Sequence, residues 1–151
     1  MSVKNALKEI KTFFKNNQNP ELVKKYSRFF REGYDAYGVD QKIFEAFRKE
    51  LINKYKEELG FEGFLELGSE LVKSGKYEEA SLAVTFPVYF KDDLNKKSLK
   101  IFESWLDNGV CNWAHVDVFC GEVMKILIND GKIIINDIAH WRNSKTKWTR
   151  R

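Results

Sequence analysis

Trp113 and Asp117 stand four residues apart in the stretch Asn112-Trp113-Ala114-His115-Val116-Asp117, so on a helix they share one face. An indole beside a carboxylate makes a surface suited to a flat, positively charged group. Downstream, the tail from Trp141 to Arg151 carries Trp148 and five basic residues, Arg142, Lys145, Lys147, Arg150 and Arg151, with no acid among them. An aromatic–carboxylate pair followed by a basic tail points to a helical protein that handles nucleic acid bearing a cationic base.

The same residues admit plainer roles. Trp113 can open the apolar face of its helix with Val116, Phe119 and Val123, and Asp117 can pair with a lysine or a neighbouring helix end. Cys111 and His115 also stand four apart, with Asp117 and Cys120 nearby, but the spacing matches no standard zinc pattern and no metal is expected. His115 is expected as a packed or surface histidine, with proton transfer as the lesser alternative. Trp141 and Trp148 are expected to anchor helix packing. The glutamates Glu57, Glu58, Glu62, Glu66, Glu70, Glu78 and Glu79 read as solvated outer faces. The stretch from Tyr34 to Tyr37 either reaches toward nucleic acid or packs on its own helix pair.

These residues need helices to position them, and the apolar spacing supplies a series. Ser2 can cap a first helix to about Asn16, with Val3, Ala6, Leu7, Ile10, Phe13 and Phe14 on its stripe. Asn19-Pro20 reads as N-cap and first residue of a second helix through about Phe30. Asp40 caps a long helix to Leu59, ended by Gly60, and a further apolar face from Phe61 to Val72 stops at Ser74-Gly75. From Tyr77 to Phe90 the chain is apolar on nearly every side, predicting the most buried helix, kinked at Pro87, with a strand as the minor alternative. Leu99 to Leu106 continues the series and Asn108-Gly109 closes it. A helix over about Trp113–Ile128, a short one over Ile133–Trp141 and a helix entry at Ser144–Lys147 complete it. From the spacing alone, a bundle and stacked pairs of HEAT type fit equally.

At 151 residues the chain is one domain (1–151) by length, with 43% hydrophobic and 15% aromatic residues, which excludes disorder. Only two prolines interrupt it, favouring helices over a sheet with many turns. The net charge of +4 permits nucleic-acid binding without demanding it. Position matters more: Lys24, Lys25, Arg28 and Arg31 cluster early and the basic tail lies at the end. No signal-peptide core opens the chain, and the longest nearly apolar run, residues 81–90, is too short to span a bilayer. Cys111 and Cys120, nine apart in what reads as one helix, would lie about 13 Å apart, beyond disulfide reach. An intracellular setting, cytoplasmic or nucleoid-associated, follows.

Asn112-Trp113 with Val116-Asp117 and Gly121 close behind, then Trp141, Ser144, Trp148 and Arg151, resembles the AlkD-type DNA alkylation-repair glycosylases. Tyr26-Ser27-Arg28-Phe29-Phe30 and Tyr77-Glu78-Glu79-Ala80 look like that family's N-terminal half. The resemblance implies an all-α fold, a right-handed superhelix of antiparallel HEAT-like helix pairs with a concave basic surface for duplex DNA. It implies release of cationic N3- and N7-alkylpurines by cleavage of the glycosidic bond, with no cofactor. By position Asp117 matches the catalytic carboxylate, Trp113 the aromatic beside it, and Arg151 an arginine facing the DNA backbone. Tyr26 matches an aromatic on the concave surface, and Arg28, Lys145, Lys147 and Arg150 are expected to add phosphate contacts. The family pattern continues through further repeats, with another tryptophan, beyond the segment matched by Arg151. A superhelix ending there would expose the inner face of its last helix pair, so self-association through that repeat, a longer parent protein or a completing partner is expected. A non-catalytic DNA-binding module and a protein-interaction scaffold are the rival readings.

Overall fold

The computed structural model describes residues 2–151, and among them every regular element is a helix. The chain is all-α, an α-solenoid of the HEAT-like class. Helix α1 (Val3–Asn16) buries Ala6, Ile10 and Phe14, the i, i+4, i+8 stripe that its sequence spells out. Ser2 occupies the N-cap, but its side chain makes no capping bond; its carbonyl takes the Asn5 and Ala6 amides instead. Helix α2 (Pro20–Ser27) starts as expected, with the Asn19 side chain accepting the Glu21 N–H. It stops short of Phe30, and residues 28–30 turn away.

Asp40 caps α3 (Gln41–Val72) by accepting the Lys42 and Ile43 amides. Gly60, at φ 58° and ψ −171°, breaks this span into two helices, over residues 41–59 and 61–72, as its glycine predicts. α3 packs along α1 on one side and α4 (Tyr77–Thr85) on the other. The expected kink at Pro87 is instead a change of helix type: α4 ends at Thr85 and Phe86–Phe90 winds as a 3-10 helix. Pro87 falls in the first turn of that segment, where its missing N–H has no partner to lose. A 3-10 turn (Lys96–Ser98) leads into α5 (Leu99–Asn108).

Helix α6 (Trp113–Phe119) runs without interruption through a π-helical stretch (Cys120–Met124) into α7 (Lys125–Asn129). Cys111 does not share this helix with Cys120, as the spacing suggested, because Asn112 caps the helix after it; both thiols are free and exposed. The segment expected as a short helix near residues 133–141 is a 3-10 helix, Ile135–Asn143, opened by Asp137 returning its carboxylate to the Ile134 amide at 3.0 Å. Helix α8 (Lys147–Arg150) follows and packs on α5. Trp141 is buried and Trp148 packs against the core, both as anchors.

The core is continuous from Ala6 to Trp141, and Tyr55, Phe14, Phe64, Phe86, Phe102 and Phe119 are the largest of its fully buried side chains. Each such burial contributes about 1.5–3 kcal/mol. The polar exceptions to this apolar interior include two that shape the site. Glu78 and Glu79, expected on a solvated face, are buried, at 5% and 1% exposure. The cause lies in the loop before α3, whose amides have no helix or strand to bond with. Glu78 accepts the Tyr37, Gly38 and Val39 N–H groups at 2.9, 2.7 and 3.2 Å, and Glu79 accepts the Tyr37 hydroxyl at 2.7 Å. Gly38, at φ 79°, lets the loop run so close to Asn19 that an added Cβ would sit 2.2 Å from that residue's carbonyl oxygen.

The second exception is His115, only 3% exposed. Its Nδ1 accepts from the Asn112 side-chain amide at 2.8 Å, which leaves the proton on Nε2, facing the Tyr77 carbonyl at 3.0 Å and Ser81 Oγ at 2.9 Å. The ring is thus held as one neutral tautomer pinning α6 to α4. Burial pushes its pKa down to about 4, outweighing the Tyr77 hydrogen bond that raises it.

Glu78→Gln places an amide NH₂ where one carboxylate oxygen meets backbone donors, and unfolding in urea should show a loss of about 1–3 kcal/mol with an unchanged m-value. His115 predicts an acid-sensitive fold. Between the ordinary value of 6.5 and about 4 the unfolded chain binds the proton that the folded ring refuses. Stability therefore falls as pH drops through that window, by at most about 1.4 kcal/mol per pH unit from this group. Urea titrations at successive pH values should show that slope reduced in His115→Gln; an equal slope in both proteins would assign the effect elsewhere.

Candidate nucleic-acid interface

Asn112 sets the start of the site. Its side-chain oxygen accepts the His115 N–H at 3.0 Å, so Trp113 becomes the first residue of α6 and Asp117 lies one turn further along the same face. The buried face of that helix is His115, Val116 and Phe119, which leaves Trp113 and Asp117 outward. Trp113 is 41% exposed. It does not join Val116 and Phe119 in the core, because its indole lies across the neighbouring repeat: Nε1–H donates to the Phe29 carbonyl at 3.2 Å and the ring stacks near Phe30, 5.8 Å between centroids.

The Asp117 carboxylate faces Arg151. Nε donates to Oδ1 at 3.0 Å and Nη2 to Oδ2 at 3.2 Å, a two-point fork. Asp117 in turn holds the Arg151 pKa above its ordinary value. Both side chains are half exposed, so solvent screens the pair and it exchanges readily. A phosphate oxygen can take over the guanidinium and leave the carboxylate free.

Most of the other residues expected at a DNA-facing surface have their own partners. Tyr26 is exposed on α2 with the Lys25 ammonium 5.3 Å from its ring, and Arg28 lies over the Phe29 ring at 4.9 Å. Lys145 is exposed. Lys147 pairs with Glu32 at 2.5 Å, and Arg150 folds back onto the Ser144 and Lys145 carbonyls at 2.6 and 2.9 Å. Of the five basic residues in the tail, Lys147, Arg150 and Arg151 are thus engaged within the protein.

Trp113 also borders a cleft of about 1000 Å³ between α2, the loop after it, the start of α3, α4 and α6. Its walls are aromatic: Tyr26, Phe29, Phe30, Tyr34, Tyr77 and Trp113. Asp117 and Arg151 lie outside this lining, past Trp113. Burial, then the nearby Glu78 charge, pushes the Tyr34 hydroxyl pKa well up, and burial does the same for Tyr77, so both stay neutral hydrogen-bonding phenols. Cys120 is likewise pushed up by burial and by Asp117, which disfavours the thiolate a nucleophile needs. His115 touches the cleft but is locked as described, which removes it as a proton carrier.

Sequence reasoning overlooked Phe29, exposed at 53%, together with Phe30, Tyr77 and Arg48 in the same lining. Phe29 carried a usable signal, since it follows Tyr26 by three residues in a stretch otherwise rich in Lys and Arg. Arg48 carried none, because a charged residue in the middle of an amphipathic helix reads as solvated.

An exposed tryptophan–carboxylate face and an aromatic cleft on stacked helix pairs are the features against which the chain's relatives can be judged. No curated protein and no solved structure matches it significantly. The family model described as DNA alkylation repair enzyme matches residues 10–151. With that match running from the first helix through the Asp117–Arg151 pair, the chain belongs to the DNA alkylation repair enzyme family.

Proposed function

We propose that this protein hydrolyses the N-glycosidic bond of cationic N3- and N7-alkylpurines in duplex DNA. The observation that carries the reading is the outward presentation of Trp113 and Asp117 one turn apart on α6, with Arg151 forked onto the carboxylate. DNA is the partner that membership of the family suggests.

The chemistry needs little from the protein. An alkylated purine already carries its positive charge, so it leaves with the bonding electrons as a neutral base and requires no general acid. Charge then develops on the sugar, and a fixed carboxylate near the anomeric carbon stabilises it more in the transition state than in the ground state. Asp117 fills that role and orients the water whose oxygen bonds to the anomeric carbon, its proton passing to solvent. Trp113 lies against the deoxyribose and the lesion, where a cation–π contribution of about 0.5–2 kcal/mol is available. Arg151 moves from Asp117 to a backbone phosphate as DNA docks, which uncovers the carboxylate when substrate is present. Tyr26, Arg28, Lys145, Lys147 and Arg150 border the docked strand, and their contacts to phosphate position it without reading sequence.

A non-catalytic DNA-binding module is favoured by one observation, that both Asp117 oxygens are occupied by Arg151 in the free protein. A scaffold reading expected Trp113 and Asp117 to be buried, and both are exposed.

Release of 7-methylguanine from methylated duplex DNA separates the first two. The wild-type chain should release the base under single-turnover conditions, and Asp117→Asn should slow release by about 10²–10³-fold while retaining DNA binding. Salt-sensitive DNA binding by both proteins without release by either would overturn the enzyme reading in favour of the binding module.

A further inference from the structure

The aromatic cleft contains a cation that the protein itself leaves without an acceptor. Arg48 lines it from α3, its guanidinium carbon 5.9 Å from the Phe44 ring centroid, and its Nε is buried with no hydrogen-bond partner. Native interiors leave few N–H groups in that state, and a charged one calls for an anionic oxygen. The carboxylates sharing the lining bond to other donors. Asp40 accepts the Lys42 and Ile43 amides, Glu78 the amides of residues 37–39, and Glu45 the Gln41 side-chain amide. None of them is bonded to Arg48. Lys42, the other cation of the lining, is exposed at the same end of α3.

We infer that Arg48 anchors a backbone phosphate of the DNA strand that enters this cleft; the inference rests on the DNA-binding reading above. A guanidinium grips phosphate through two parallel N–H donors, and Arg48 supplies one of them by swinging its Nε edge out of its present cover as the strand enters. The exposed rings of Tyr26, Phe29 and Trp113 at the cleft suit the sugar and base faces that accompany that phosphate. Arg48 thereby sets where the strand lies relative to Trp113, as a positioning residue with no part in bond cleavage.

The test is binding of undamaged duplex DNA by the wild type, Arg48→Met and Arg48→Lys across about 50–200 mM salt, with thermal unfolding to verify the fold of each. Arg48→Met should bind about tenfold more weakly at low salt, and its plot of log affinity against log salt should be shallower by about one. Replacing single phosphates by neutral methylphosphonates should locate one position at which the wild type and Arg48→Met bind alike. Should Arg48→Met fail to fold, the difference between the wild type and Arg48→Lys must vanish at one such position. A wild-type salt slope that Arg48→Met leaves unchanged, or a difference from Arg48→Lys that persists at every phosphate, would overturn the anchor and leave the DNA reading standing. Absence of DNA binding by the wild type would instead overturn that reading, and the anchor with it.

Discussion

The carboxylate of Glu78, buried among three loop amides, is the constraint on which the rest of the site depends. The loop of residues 33–40 has no regular structure, so its amides need an acceptor from elsewhere, and α4 supplies it. With the loop fixed, the Asn19 amide bonds to the Tyr37 carbonyl and the Tyr77 amide to the Asp35 carbonyl. Those two bonds place the start of α2 and the start of α4 against the same stretch of chain. α2 then carries Tyr26 and delivers Phe29 and Phe30 to the face where Trp113 lies. A buried carboxylate is costly unless its oxygens are filled, and here backbone donors fill them without a neighbouring cation. The arrangement holds the loop in one geometry.

His115 gives the same kind of anchorage on the other side of the cleft. Asn112 fixes the ring from the cap of α6, and the ring's contacts with Tyr77 and Ser81 tie α6 to α4, with the Tyr77 ring tilted against it at 4.6 Å. Both walls are therefore referenced to one helix. The groups that face outward are held far less firmly. Asp117 and Arg151 meet in solvent, as do Lys147 and Glu32, and such pairs break at little cost. Rigid interior contacts thus set where the outward residues stand, while weak exterior contacts leave them free to change partner when a polyanion arrives.

Much of this was legible in the residues. Apolar spacing located α1, the two halves of α3 and the α6–α7 helix, and caps at Asn19 and Asp40 act where their side chains suggested. Gly60 divides α3 because an l-residue resists its positive φ. The misses share a cause. Helix type after Thr85 and in residues 135–143 depends on how those segments fit their neighbours, and apolar periodicity cannot separate a 3-10 turn from an α turn over so few residues. Glu78 looked like any glutamate on an exposed face, since its three acceptor bonds reach about forty positions back along the chain. The Asp117–Arg151 fork was expected only as two separate residues of one site.

The amino-acid sequence by itself determined the all-helical class, the helix that sets Trp113 and Asp117 side by side, and the basic tail, because each rests on residues a few positions apart. Family membership followed from motif order along the chain. Tertiary structure alone decided that Trp113 faces outward against Phe29 and Phe30, that Glu78 and His115 turn inward, and that Arg48 opens into an aromatic cleft. Those outcomes depend on which backbone groups and side chains from distant segments arrive at the same place, and hydrogen-bond satisfaction at that meeting point overrides what polarity alone would assign.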